Sequence, residues 1–97
     1  MKRVTITQLE AIVLRINKLT NSPESSWTRV GGKLVANIVN YHLDSAYGGY
    51  KLARMCSTGG GIQDILRIGY ATKGELAKAM FSFIAGIEAG KFNHSTP

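Results

Sequence analysis

Ala46-Tyr47-Gly48-Gly49-Tyr50-Lys51-Leu52-Ala53-Arg54-Met55-Cys56-Ser57-Thr58-Gly59-Gly60-Gly61 is the stretch on which the fold turns. Two tyrosines bracket a glycine pair, two cations follow, and a glycine triplet closes the run. As a free loop, it offers rings that can stack on a base, cations that can hold a phosphate, and glycines that let a backbone approach a ligand closely. Helical phasing gives it more order. Asp44 or Ser45 can cap a helix here. Gly48, Leu52, Met55 and Cys56 then line one stripe, and Tyr47, Tyr50, Lys51 and Arg54 line the adjoining one. Gly59 sits where a helix terminator belongs. Gly48 and Gly49 each cost about 1 kcal/mol against alanine inside a helix, so close packing or close ligand approach must compensate. The spacing predicts a middle helix.

Upstream, Thr7 and Glu10 form a capping-box pattern with Ile6 as the staple residue. Leu9, Ile12, Val13, Ile16 and Leu19 recur at helical spacing. Asn21-Ser22-Pro23 ends that helix, which is expected from about Ile6 to Thr20. Trp27 to Val30 and Lys33 to Leu43 are split by Gly31-Gly32 and read as a hairpin. Neither face of the second run is cleanly apolar, so a helix over Leu34 to Leu43 stays open. Downstream, Gly59 to Ala71 is a loop with one turn over Ile62 to Leu66. Thr72 and Glu75 make a second capping box. Leu76, Ala77, Met80, Phe83, Ile84 and Ile87 then line a helix expected to end at Gly90. Its apolar face continues onto Phe81, a width that suggests burial on more than one side, as at a subunit interface. The expected fold class is α+β, mainly helical: two amphipathic terminal helices and a middle helix with a short β-hairpin. The 97 residues make one small domain, 1–97, with a frayed tail over 91–97.

A domain of this size buries only about 60–70% of its unfolded surface and gains from oligomerising. The net charge of +6 favours an anionic partner. The cations are dispersed, with no basic run and no clear recognition helix, which argues against nucleic acid. One cysteine, Cys56, allows no internal disulfide and suits a reducing cytoplasm. No apolar run reaches the length of a membrane span.

The side chains for catalysis are few. His42 and His94 are the only histidines. Cys56 falls on the apolar stripe, where a buried inert thiol is the commoner outcome. Nothing places Asp44 beside Asp64, and no metal-ligand spacing exists. No enzyme, metal or cofactor is expected. For phosphate, Gly59-Gly60-Gly61 lacks the lysine ending of a P-loop. Thr72-Lys73-Gly74 is the better candidate because it opens a helix, and Arg67 lies just upstream. Plain capping by Glu75 is the competing account of Thr72. For base stacking, Trp27, Tyr41, Tyr47, Tyr50 and Tyr70 are available, and Arg29 beside Trp27 could pair with a phosphate. The expected ligand-binding residues are Trp27, Arg29, Tyr47, Tyr50, Lys51, Arg54, Arg67, Thr72 and Lys73.

The order Leu9-Glu10-x-Ile12-Val13-x-Arg15-Ile16-Asn17-Lys18-Leu19-Thr20, then Ser22-Pro23, Trp27-Thr28-Arg29, Tyr41-His42-Leu43-Asp44, Ala46 to Tyr50, Gly59-Gly60-Gly61 and Thr72-Lys73-x-Glu75-Leu76, resembles a family of small phage proteins. These are the anti-CBASS sponges, the second of the named anti-CBASS types, and the match runs over nearly the whole chain. The resemblance implies a homo-oligomer, a hexamer, that binds cyclic dinucleotide and cyclic trinucleotide messengers in the host cytoplasm without degrading them. It implies dinucleotide pockets between protomers, matched here to Trp27, and a trinucleotide pocket on the three-fold axis, matched to Arg67 to Thr72. The family stacks a base on an aromatic of its first helix. This chain has none there, so the platform must lie elsewhere or be aliphatic. The rival readings are a small basic nucleic-acid module, and an inhibitor that docks on a host enzyme through its tyrosines.

Overall fold

The computed structural model describes residues 3–94, with side chains through residue 90. Helix α1 spans Ile6–Leu19, and Leu9, Ile12, Val13 and Ile16 are buried as their spacing requires. Its cap is Thr5 and not Thr7. The Gln8 N–H donates to Thr5 Oγ1 at 3.1 Å, and the Thr5 N–H donates to Gln8 Oε1 at 2.8 Å. This register puts Val4 against the core and leaves Ile6 exposed, so Val4 takes the staple position. At the other end Asn21 adopts φ 54, and the Ser22 N–H reaches Asn17 O at 2.8 Å, closing a Schellman turn.

Strands β1 (Trp27–Val30) and β2 (Lys33–Ala36) pair antiparallel around Gly31 and Gly32, whose φ values of 57 and 81 make the tight mirror-image turn of a two-residue hairpin. The expected hairpin is present, but its second run stops at Ala36. Residues 37–40 turn instead, with the Asn40 N–H on Asn37 O at 3.1 Å and Val39 at φ 74. Strand β3 (Tyr41–Ala46) follows, then β4 (Gly49–Met55) and β5 (Ile62–Asp64), in the sheet order β3-β4-β5. Helix α2 runs Lys73–His94. The expectation of a frayed tail falls on residues 91–97, whose side chains lie outside the described residues.

The middle helix does not exist, and the chain is not mainly helical: 36% is helix and 28% strand. The physical reason lies in the opening stretch. Tyr47 and Gly48 adopt φ 54 and 75, which makes a second two-residue hairpin turn between β3 and β4. β4 is also the central strand of its sheet. Leu52, Ala53 and Met55 are all buried, on both faces, which erases the alternation that marks a half-exposed strand. Gly59 terminates no helix; it belongs to the loop between β4 and β5. Cys56, expected in the core, is exposed. The expected turn over Ile62 to Leu66 is largely β5.

One face of the sheet, carrying Tyr41, Leu43, Tyr50 and Leu52, packs on both helices. From α2 come Leu76, Ala77, Met80 and Ile84. The helices run parallel. The start of α1 lies beside Thr72 and Gly74, Gln8 and Ile12 lie beside Ala77 and Phe81, and Arg15 bridges Glu88 at 3.3 Å. Two buried amides lock the layers. Asn17 donates to Tyr41 O at 2.9 Å and accepts from its N–H at 2.8 Å, tying α1 to the first residue of β3. Asn40 donates to Pro23 O at 2.7 Å and accepts from Ser26 Oγ at 2.8 Å.

Candidate functional site: a tyrosine and lysine cluster beside a groove

Asp64 ends β5 and organises the loop after it. Its carboxylate accepts the Arg67 N–H at 3.0 Å and the Gly69 N–H at 3.2 Å, and both residues adopt positive φ, 57 and 69. The loop then delivers Tyr70 and Ala71 to the edge of β4, where Tyr50 and Ala71 exchange hydrogen bonds of 2.9 and 2.8 Å. Gly49 permits this approach. A Cβ there would stand 3.0 Å from the Tyr70 Cβ, 3.1 Å from its carbonyl carbon and 3.2 Å from Ala71 O. The glycine pair therefore has two separate tasks. Gly48 supplies the turn, and Gly49 supplies space for Tyr70.

On the sheet face away from the helices, Tyr70 Oη donates to Asp44 Oδ2 at 2.7 Å. Lys51 Nζ sits 4.6 Å from the centre of the Tyr70 ring and 3.9 Å from Asp44. Tyr47, 96% exposed at the hairpin tip, meets Tyr70 edge-on at 5.7 Å. The Asp44 hydrogen bond, then partial burial, pushes the Tyr70 phenol above its ordinary pKa. His42 lies on the same face of β3 as Asp44, and burial holds its imidazole below the usual range. Behind Tyr70 opens a groove of about 520 Å³ walled by Ile68, Tyr70, Glu75, Lys78 and Ser82. That volume lies within the usual range for small-ligand clefts.

The expected site residues are only partly assembled. Tyr47 and Lys51 join the cluster. Tyr50 and Arg54 turn to the opposite face by strand alternation; Tyr50 packs on the core, and Arg54 donates to Gln63 Oε1 at 3.3 Å. Arg67 is exposed on the loop beside Tyr70. Thr72 and Lys73 open α2, but Thr72 is occupied. It accepts the Glu75 N–H on its hydroxyl at 3.2 Å and donates its own N–H to Glu75 Oε1 at 3.1 Å. Hydrogen bonding of the carboxylate to Thr72, its hydroxyl first and then its N–H, holds the Glu75 carboxyl below its ordinary pKa. The anion at this helix start is thus the chain's own. Trp27 and Arg29 stand apart on the β1–β2 ribbon.

Sequence reading undervalued Tyr70 and Asp44 and missed Lys78 and Ser82. Tyr70 was one platform among five, and its partner lies 26 positions away, so no local spacing marks the pair. Lys78 and Ser82 were readable as successive polar positions on one face of α2. Asp44 and Asp64 are fully engaged in different places and form no carboxylate pair.

No protein-family model, curated protein or solved structure matches this chain. The family resemblance therefore rests on its motifs alone. Among the described residues, no helix is long and apolar enough to cross a membrane.

Proposed function

We propose that this chain binds and sequesters cyclic di- and trinucleotide messengers without chemistry, blocking host antiphage (CBASS) signalling in the host cytoplasm. The motif resemblance supplies the messenger class. The supporting observation is the Tyr47–Tyr70–Lys51 cluster beside its groove: two rings to stack on a base, the Lys51 cation 4.6 Å from the centre of the Tyr70 ring, and Lys78 in the groove wall for phosphates. Tyr47 adds weight to this reading. A tyrosine at φ 54 on a bare hairpin tip is costlier than asparagine or glycine, and such strain collects at functional positions. Glu75 in the groove wall directs phosphate away from the start of α2.

Nanomolar retention requires about 12 kcal/mol of binding free energy. One stacked base contributes about 1–3 kcal/mol, so a single open groove falls short. A homo-oligomer, the hexamer of the resemblance, would close the groove with a second copy and strengthen each polar contact by excluding water.

Isothermal titration with cyclic diadenylate and cyclic triadenylate tests this, with native mass measured alongside. Saturable binding, lost in Tyr70→Ala, and intact messenger recovered after heating the complex support it. Silence at micromolar concentrations, or linear products after heating, refutes it.

A further inference from the structure

We propose that the β1–β2 ribbon is a second binding surface, separate from the Tyr70 cluster, and that it takes single-stranded nucleic acid. Its anchor is Trp27. The indole lies against the backbone of Gly60, where a Cβ would come within 2.8 Å of ring carbon Cη2 and 3.3 Å of Cζ2. Gly60 adopts φ +98, so this residue both makes the turn and clears the seat for the ring. The indole is braced on one side and still 42% exposed. A ring already held in place loses little freedom when a base stacks on it.

The charge around it selects the ligand. Trp27 pairs with Ala36 and Arg29 with Leu34, so alternation puts Trp27 and Arg29 on one face of the ribbon, about 7 Å apart. Lys33 follows at the turn, opposite Val30 and therefore on the other face of the ribbon. From Trp27 to Ala36 there are cations at Arg29 and Lys33 and no acid. Neither forms an ion pair among the described residues. The Arg29 guanidinium donates to Gly32 O at 3.3 Å, a bond within the ribbon itself. A base on the indole and a phosphate on the guanidinium is the combination that holds a nucleotide strand. In a duplex the bases are stacked on one another, so only a single strand can offer one to Trp27. The cations are dispersed along the sequence, but the fold sets Arg29 on the same face as the only tryptophan, on an acid-free ribbon. Val30 and Leu34, each 59% exposed, would also suit a protein partner; the unopposed charge decides for a polyanion.

Because Trp27 is the single tryptophan, intrinsic fluorescence reads this site alone. Oligothymidylate of about 12 nucleotides is the probe, within the length one small domain covers. Quenching is expected, with log affinity falling against log salt at a slope of about −0.7 for the one phosphate contact of Arg29. Arg29→Ala should flatten that slope by about 0.7 and leave the circular dichroism unchanged. Trp27→Ala, followed by anisotropy of a labelled strand, should weaken binding by about 10-fold. The proposal is overturned by no quenching up to about 100 μM strand, the weak limit of non-specific binding. It is equally overturned by a slope that survives Arg29→Ala, by duplex binding as tight as single-strand binding, or by a protein captured on the ribbon with no oligonucleotide affinity. Tyr70→Ala, which removes messenger binding, should leave strand binding and its salt slope unchanged, so the two sites can fail independently.

Discussion

At the scale of single residues, the buried amide of Asn17 ties α1 to the start of β3. It satisfies both backbone groups of Tyr41, one from each end of the same side chain. Asn17→Ala leaves a buried carbonyl and a buried N–H unpaired, each costing about 1–3 kcal/mol. We expect a loss of about 2–4 kcal/mol, read as a lower urea midpoint at unchanged m-value. The titrating groups set the pH limits. Tyr70 has a raised phenol pKa, so its contribution is complete below about pH 10 and lost as pH rises through the folded value. Urea midpoints between about pH 8 and 11 should fall less steeply in Tyr70→Phe than in the parent chain. His42 works at the other end. Its lowered pKa means that stability present above about pH 6.5 declines as pH falls through the folded value, and His42→Gln should remove that limb.

At the scale of elements, the decisive unit is the β3–β4 hairpin and the loop docked on it. Gly49→Ala pushes a methyl against Tyr70 and the Ala71 carbonyl, which are held by the two Tyr50–Ala71 hydrogen bonds. Overpacking of this kind costs about 1–3 kcal/mol. The same shift moves Tyr70 off Asp44, so messenger affinity should fall while α1 and α2 remain, a combination that titration and far-ultraviolet circular dichroism together can read. This element is also where the sequence was least legible. The terminal helices were readable because their apolar residues repeat on one face over many turns; of the two capping boxes, Thr72–Glu75 was read in place and the first lies two residues before Thr7, at Thr5 and Gln8. The Gly31-Gly32 hairpin was readable from its two glycines. Tyr47-Gly48 makes the same turn with a tyrosine at a left-handed position, a residue type that does not announce it. β4 adds the second obstacle, since a strand buried on both faces has no alternation to detect. Once β4 is read as a helix, Tyr47, Tyr50, Lys51 and Arg54 make a false stripe, and the true neighbours of Lys51 disappear from view. Of the candidate site, Tyr47 and Lys51 were visible, whereas Asp44 and Tyr70 became partners only through strand pairing and a loop closed by Asp64.

At the scale of the molecule, the shape is a flat slab of 44 × 44 × 21 Å with a radius of gyration of 14.4 Å. A compact chain of this length would measure about 12.5 Å. The difference matches a ribbon that contributes only Ala36 to the buried interior and lies outside the main core cluster. Its β1–β2 hydrogen bonds should open by local fluctuation, whereas those of β3–β4 and the helices open only with the core. Amide exchange at Thr28 and Val35 should therefore outpace that of the β3–β4 ladder in the free protein, and single-stranded oligonucleotide should slow it there while leaving β3–β4 unchanged. The parallel helices bear on how the molecule is made. Arg15 and Glu88, which meet across the helix pair, are 73 positions apart, and the whole sheet lies between them in the chain. During synthesis α1 and the core face of the sheet emerge first, with Leu9, Ile16 and Leu52 uncovered. Their cover, from Leu76 to Ile84, follows several seconds later at about 5–20 residues per second. Between the synthesis of Leu52 and that of Leu76 the nascent chain thus carries an apolar surface open to chaperones, and it closes only when α2 arrives.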